Sequence, residues 1–311
     1  MIAWLVLLQA SVTIAVAGPV TSPEYLPLHL AEAEGLFAAQ KLAVTLRPLR
    51  SAQAAAETLR SGRVQLAATS LDSALRLASV EGTPPRLVLG LTAAPPVALL
   101  VNPKRAESIH GATDLAGQTI AVPAPGTAED QALGLLLARA GVPMHRVTVT
   151  SLGERGAARA LESGAVAAAV LADPYVSRMV EAGTAVVIAD LRSLKGAEQW
   201  LDGPTVNAAV FARAEAVPEA PILKALGQAL QEAIARIVSA DPATLQTRLS
   251  EAVIGSAADF AMRLRGARDA FLPGGRVSAE AIEHSIELIK RRAPLPTVVK
   301  LPRRADSLLV E

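Results

Sequence analysis

The chain has 311 residues, of which 51% are hydrophobic and 19% are charged, with a formal net charge of +1. This length suits two compact α/β lobes, and the hydrophobic content excludes an intrinsically disordered chain. The balanced charge and an aromatic content of 3% argue against a nucleic-acid partner, because such proteins need basic surface and stacking side chains. The chain has no cysteine, which excludes disulfides, thiolate metal sites and a cysteine nucleophile on it.

The first eleven residues form an apolar run without a preceding basic residue. We interpret residues 1–11 as a shortened export signal, with the apolar first strand of a cytoplasmic protein as the alternative. Cleavage after Ala10 or Ser11 would leave Val12 to begin the first strand. No later stretch of the sequence reaches the roughly 18 apolar residues of a membrane span.

Short apolar or alternating runs predict ten strands, and amphipathic segments between them predict helices. The predicted strands are 12–16, 43–49, 64–69, 86–92, 98–102, 119–122, 147–152, 167–172, 185–191 and 205–213. Strand–helix alternation predicts mostly parallel sheets with helices on both faces. The carboxy-terminal third predicts helices at 219–240, 242–252, 257–270 and 278–293, the last capped by Ser278, before an extended tail at 294–311.

An internal repeat indicates two similar lobes. Residues 59–67 match residues 161–169 at five positions, and the Thr-Ile-Ala-Val of 13–16 recurs at 119–122. The two pairs have nearly equal offsets and the same order along the chain. The period is far longer than that of a solenoid, so the repeat predicts two lobes of the same β-α order.

Two extended stretches are placed to cross between these lobes. The first, 87–102, is interrupted by prolines, and the second is 205–213. We therefore expect lobe 1 at 12–96 plus 206–311 and lobe 2 at 97–205. The predicted fold class is α/β, with two Rossmann-like lobes joined by a two-strand hinge.

In open parallel sheets, ligands bind beyond the carboxyl ends of the strands, where helix amino termini offer free N–H groups. Small polar residues follow five predicted strands, within 21–25, 50–53, 69–72, 123–127 and 172–175. Helix capping is the alternative role for the serine, threonine and aspartate residues there. For Tyr25 and Tyr175 the alternative is a packed ring with a satisfied hydroxyl. Arg50 and Arg155 are candidates to pair with an anion, or are solvated surface residues.

The sequence carries little that predicts catalysis. The four histidines are scattered, without the i, i+4 spacing of a metal-binding helix. There is no nucleophile elbow, no Walker loop and no Gly-x-Gly-x-x-Gly after the first strand. We therefore predict no catalytic residue, no metal site and no cofactor.

Four blocks in register resemble a known family. Residues 25–37 followed by 42–49, then 56–68, then 114–122 with Gly126-Thr127, and then 161–174 are similar to blocks of the sulfonate/nitrate/taurine-type substrate-binding proteins, also called NMT1/THI5-like. The resemblance covers about residues 12–213. It implies a type II periplasmic-binding fold that closes by a hinge around a small organic ligand, anionic or zwitterionic.

The resemblance also implies partners and site residues. The partners would be the small-molecule ligand and an ABC permease in the membrane, with the protein exported, as a monomer, to the periplasm or another extracytoplasmic space. The first lobe would contribute ligand contacts at Ser22, Tyr25, Ser51, Gln53, Thr69 and Ser70. The second lobe and the return crossing would contribute Gly126, Thr127, Asp173, Tyr175, Thr205 and Asn207.

Two other functional classes stay open. An enzyme of the same fold would be a pyrimidine-precursor synthase or a lyase of the menaquinone-pathway type. The synthase relatives carry a cysteine-rich stretch and use a histidine as donor, so the absence of cysteine counts against that form. The third class is a sensory or regulatory ligand-binding domain, although no DNA-binding, transmembrane or kinase segment accompanies this sequence.

Overall fold

The computed structural model describes residues 10–77, 84–292 and 308–310. Within these ranges the strands are β1 (Ala10–Val16), β2 (Leu42–Pro48), β3 (Leu66–Ser70), β4 (Arg86–Gly90), β5 (Val97–Val101), β6 (Thr119–Val122), β7 (Thr148–Ser151), β8 (Ala168–Ala172), β9 (Val186–Asp190) and β10 (Ala208–Ala212). The α-helices are α1 (Leu26–Ala33), α2 (Leu36–Ala39), α3 (Ala52–Arg60), α4 (Leu71–Leu77), α5 (Ala128–Arg139), α6 (Gly153–Ser163), α7 (Tyr175–Glu181), α8 (Leu194–Leu201), α9 (Ala220–Ser239), α10 (Pro242–Gln246), α11 (Glu251–Ile254), α12 (Ala257–Ala267) and α13 (Ala279–Arg292). Each of the ten predicted strands is confirmed.

The strands form two five-stranded sheets, ordered β2-β1-β3-β10-β4 and β7-β6-β8-β5-β9. The described sheets are mixed, and all but one of the strands in each run in the same direction, in line with the predicted fold class. In each one, the first three strands run parallel and the fourth is antiparallel to both of its neighbours. That fourth strand, β10 or β5, is the one that arrives from the other sheet, and this explains its reversed direction.

The internal repeat corresponds to this shared topology. The two Thr-Ile-Ala-Val segments lie in β1 and β6, which occupy equivalent places in the two sheets. The second repeated block leads into β3 and β8, which are again equivalent. The prediction of two similar lobes is therefore confirmed.

The central strands of the first sheet are more deeply buried than the strand β2 at its edge. Every residue of β3 and β10 is buried at the centre of the first sheet, whereas all but one of the residues of β2, at its edge, are half-buried or exposed. Small residues dominate both central strands, and helices on the two faces cover them. Such continuous apolar runs are typical of strands that are covered on both faces.

Two crossings connect the sheets, one from β4 to β5 and one entering β10. They are hydrogen-bonded to each other: the Asn207 N–H donates to the Thr92 carbonyl at 2.9 Å, and the Leu91 N–H donates to the Ala208 carbonyl at 2.8 Å. The hinge is therefore a paired two-strand connection. The lobe boundaries at 96 and 205 stay a prediction.

The carboxy-terminal helices contact both lobes. α9 packs on α1 and α2, while α13 packs on α5 of the second lobe. Arg292 of α13 pairs with Asp72 of α4 at 2.9 Å and approaches Asp130 of α5 at 3.7 Å. Its side chain crosses α5 at Gly134, where a Cβ would lie 2.4 Å from the Arg292 Cδ. One guanidinium thus contacts both lobes.

The structure confirms some predictions for the carboxy-terminal helices and corrects others. The cap on α13 is confirmed, because the Ala281 N–H donates to the Ser278 Oγ at 3.1 Å. The single helix predicted over 242–252 is wrong, since α10 and α11 are separated there. Of the predicted tail, 294–307 and 311 lie outside the described residues, while the Val310 N–H donates to the Leu87 carbonyl on β4.

The predicted export signal lies almost wholly outside the described residues, because the structure begins at Ala10 in β1. Among the helices described, none combines the length and the apolar character needed to cross a membrane.

Candidate ligand cleft

A cavity of about 330 Å³ lies between the two lobes. The first lobe contributes the segments that follow β1, β2 and β3, including Ser22, Arg50 and Ser70. The second lobe contributes the loop and helix start after β6 and the end of β8. Arg263 of α12 completes the lining. The cavity therefore lies where the carboxyl ends of the parallel strands of both sheets face each other, as is usual for open α/β sheets.

Seven of the twelve predicted site residues line this cavity: Ser22, Tyr25, Ser51, Ser70, Gly126, Thr127 and Asp173. The other five lie outside the lining: Gln53, Thr69, Tyr175, Thr205 and Asn207. The Thr69 hydroxyl donates to the Ala52 carbonyl at 2.7 Å, and Tyr175 is half-buried against the smaller core of the second lobe. Thr205 and Asn207 border a separate void of about 20 Å³ beneath the hinge.

Two of the lining residues are helix caps. The Ser51 Oγ accepts from the Ala54 N–H at the start of α3, at 3.2 Å. The Thr127 Oγ1 accepts from the Asp130 N–H at the start of α5, at 3.4 Å. In addition, the Gly126 N–H donates to the Asp130 carboxylate at 2.9 Å. Some of the backbone N–H groups at and just before the start of α5 therefore already have acceptors within the chain, namely the Thr127 hydroxyl and the Asp130 carboxylate.

Gln53 and Gly126 meet across the cleft. Gly126 has φ +75°, and a Cβ placed on it would lie 2.4 Å from the Gln53 Nε2. The two lobes are thus in contact at this point, α3 on one side and the loop before α5 on the other. The positive φ favours glycine here, and a Cβ would in addition displace the flexible end of the Gln53 side chain.

We expect Gly126→Ala to weaken the contact between the lobes and to lower the free energy of unfolding by about 1–2 kcal/mol, because alanine is strained at positive φ. Chemical denaturation measures this change. The double variant Gly126→Ala with Gln53→Ala should recover the part due to the clash and keep the part due to backbone strain. A single variant as stable as the wild type would contradict the strained backbone conformation described for Gly126.

Asp173 lies on the cavity wall, but its carboxylate is engaged within the protein. Its Oδ1 accepts from the Ser177 N–H at 2.9 Å, and its Oδ2 pairs with Arg192 at 2.8 Å. Arg192 also pairs with Asp190 at 2.7 Å. Burial alone would lower the pKa of Arg192, but the Asp190 and Asp173 carboxylates outweigh it and raise the pKa. α12 covers this ion pair at Gly266, where a Cβ would overlap the Asp173 carboxylate.

Two glutamates that the sequence analysis did not select line the cleft. Glu24 is in the 3₁₀ turn Pro23–Tyr25, and Glu129 is in the first turn of α5; each is 6% exposed. The Glu24 Oε2 accepts from the Ser22 hydroxyl at 3.2 Å, and its Oε1 accepts from the Asn207 amide at 2.5 Å. Asn207 therefore supports the cleft indirectly, by holding Glu24.

The surroundings of these glutamates disfavour their charged forms. Burial raises the pKa of Glu24 from 4.5 to about 7; the Ser22 hydrogen bond opposes this, and the charge of Glu129 adds to it. Burial also raises the pKa of Glu129, and the charges of Glu154 and Asp130 contribute. Arg263 is a basic residue that lines the same cavity. Burial lowers the pKa of Arg263, and its Nη2 donates to the Ile254 carbonyl at 2.6 Å.

Two α/β lobes, a paired hinge and a cavity between facing strand ends are the architecture of the two-lobed periplasmic binding proteins. The chain belongs to the NMT1/THI5-like family, whose sequence model matches residues 22–244. The family predicted from the four sequence blocks is thereby confirmed.

Solved structures share this fold. A protein from Bordetella bronchiseptica RB50 is 24% identical with a TM-score of 0.77, over 97% of this chain and 94% of that one. The alkanesulfonate-binding protein SsuA from Xanthomonas axonopodis pv. citri, bound to MOPS, is 21% identical with a TM-score of 0.67, over 97% and 98%. The periplasmic aliphatic sulphonate binding protein SsuA from Escherichia coli is 18% identical with a TM-score of 0.70, over 94% and 95%. The comparison with curated proteins gives no match.

Proposed function

We propose that this protein is the extracytoplasmic solute-binding component of an ABC importer and does not itself catalyse a reaction. One observation carries the proposal: a cavity of about 330 Å³ with walls from the strand ends of both lobes, next to a two-strand hinge. The volume is at the lower end of the range of about 300–1,000 Å³ typical of small-molecule sites. The family and the names of the sulfonate-binding proteins that share the fold support the same role.

The hinge and the cleft together explain how the two lobes would close around a ligand. A ligand that contacts both walls binds the closed arrangement more tightly than the open one, and so it shifts the population toward closure. Closure replaces the water around the ligand with fixed donors and acceptors of the two lobes. The closed monomer would then dock on a membrane permease and release its cargo.

The synthase alternative has little support at the cleft. It would need a histidine donor beside the ligand, but His29 is buried within α1, outside the residues that line the cavity. Burial lowers the pKa of His29, so it is neutral near pH 7. No metal cluster of three or more His, Asp or Glu residues occurs in the part of the chain that the structure describes.

The test is a thermal-shift screen of the purified chain against sulfonates, nitrate, carboxylates, amines, amino acids and pyrimidines. We expect at least one compound to stabilise the protein, by about 2.7 kcal/mol at a concentration of 100 times its Kd. Small-angle scattering should then show a smaller radius of gyration, and mass spectrometry should recover the compound unchanged. A compound that is chemically converted, or a screen without any stabilising compound, would contradict the proposal.

A further inference from the structure

Glu24 and Glu129 place one buried carboxyl group on each wall of the cleft. Glu24 belongs to the first lobe and Glu129 to the second, and both line the same cavity. The charge of Glu129 also contributes to the raised pKa of Glu24. A ligand between the lobes therefore meets an acidic group on either side.

Neither carboxyl group pairs with a cation among the described residues. The ion pairs found there engage Asp72, Asp130, Asp173 and Asp190, among others, but not Glu24 or Glu129. The partners of Glu24 are a neutral hydroxyl and a neutral amide. Burying an unpaired carboxylate is costly, so these two groups lack the charge partner that buried acids normally have.

Asp173 differs from the two glutamates because it has a cation as its partner. Asp173 lines the same cavity and is equally buried, yet Arg192 neutralises it from within the protein. The chain thus supplies a cation to one buried acid of the cleft and none, within the described residues, to the other two. The first turn of α5 already carries the acidic residues Glu129 and Asp130, and the Asp130 carboxylate accepts from the Gly126 N–H just before the helix, so this amino terminus is less suited to an anion.

We propose, building on the solute-binding function above, that the ligand bears a cationic nitrogen, such as an ammonium or amidinium group, which lies between Glu24 and Glu129 in the closed cleft. Its N–H groups donate to a carboxylate on each wall, so the ligand itself removes the repulsion between the two acids. A cation of this kind joins the lobes, and charge-assisted hydrogen bonds of this type are among the strong ones. A metal ion would fit less well, because no cluster of three or more ligating residues occurs in the described ranges.

A zwitterion would also have a place for its negative end. Arg50 is exposed on the cavity lining, directly before the amino terminus of α3. No acidic residue lies in the first turn of α3, in contrast to α5. The positive end of such a ligand would lie at the two glutamates and the negative end toward Arg50.

The experiment uses pairs of compounds that differ only in ammonium against hydroxyl, with the full chain and isothermal titration calorimetry. The pairs are β-alanine with 3-hydroxypropionate, taurine with isethionate, and 3-aminopropanol with 1,3-propanediol. We expect the ammonium member of at least one pair to bind at least about tenfold more tightly than its hydroxyl partner, since one charge-assisted hydrogen bond supplies that much. Nitrate and methanesulfonate serve as simple anions.

The variants Glu24→Gln and Glu129→Gln should each lower the affinity for the ammonium compound by about tenfold or more and leave the affinity for the hydroxyl partner unchanged. Glu283→Gln, an exposed position on α13, is the matched control and should bind as the wild type does. The melting temperature of each free variant shows that it is folded.

The two possible failures are distinguishable. If isethionate, nitrate or methanesulfonate binds as tightly as the ammonium compounds, the cleft binds solutes but the cationic ligand is ruled out. The same conclusion follows if both glutamine variants keep full affinity for the ammonium compound. If neither these compounds nor those of the wider screen bind, the solute-binding function itself is contradicted.

Discussion

Arg192→Met is expected to lower the free energy of unfolding by about 3–5 kcal/mol, because it leaves the buried Asp173 carboxylate without its cation. The side chain of Asp173 is only 3% exposed and that of Arg192 is 18% exposed, so solvent screens this pair poorly. α12 packs over the pair at Gly266, which limits the access of water to an uncompensated charge. Urea or guanidinium denaturation, monitored by circular dichroism, measures the change.

The matched control is Lys290→Met, which breaks the pair of Lys290 with Glu287 on α13. Both of these side chains are largely exposed, at 43% and 56%. Exposed pairs contribute about 0–1 kcal/mol, so this variant should stay close to wild-type stability. If Arg192→Met cost no more than the control, the Asp173–Arg192 contact would not be the stabilising ion pair described above.

The second large effect concerns pH. The ligand-free protein should lose stability as the pH rises from about 5 to 8, and Glu24→Gln should flatten that loss. The pKa of Glu24 is raised to about 7 in the folded protein, against 4.5 in the unfolded chain. The folded state therefore binds the proton more tightly, so this contribution is complete below pH 4.5 and disappears as the pH rises through about 7. The difference is on the order of 3 kcal/mol for such a shift.

The measurement is the free energy of unfolding of the wild type, Glu24→Gln and the control Glu283→Gln at several pH values. The groups around Glu24 are Ser22, Asn207, Tyr25 and Glu129, and of these Glu129 also has a raised pKa. A residual slope in Glu24→Gln is therefore expected from Glu129. Identical slopes in all three proteins would show that Glu24 does not retain its proton.

The strands could be predicted from the sequence because their signal is local. β5 is a run of five apolar residues, all buried, and it follows prolines that end the preceding segment. The repeat between β1 and β6 is likewise visible in four consecutive letters. The crossings that contain β5 and β10 were predicted, but their antiparallel pairing was not, because strand–helix alternation indicates only parallel neighbours.

The cleft was predictable in outline, since strand ends with small polar residues converge at one edge of each sheet. Which acidic residues of the cleft pair with a cation and which do not could not be predicted. Glu24 and Asp173 both follow strand exits, and only tertiary partners distinguish them: Asn207 for Glu24 and Arg192 for Asp173. Asn207 is 183 positions away from Glu24 along the chain, so no local pattern indicates this contact. Arg263 reaches the cavity from α12, in a region where the sequence shows only helical periodicity.

The guanidinium of Arg292 has a mechanical consequence. It is tied to Asp72 in one lobe and lies within ion-pair distance of Asp130 in the other, while the Asp130 carboxylate also holds the Gly126 N–H at the cleft. The parts of the lobes nearest this side chain cannot separate without breaking charged contacts. If the lobes separate, we therefore expect the smallest displacement next to Arg292 and the largest at the parts of the cleft farthest from it.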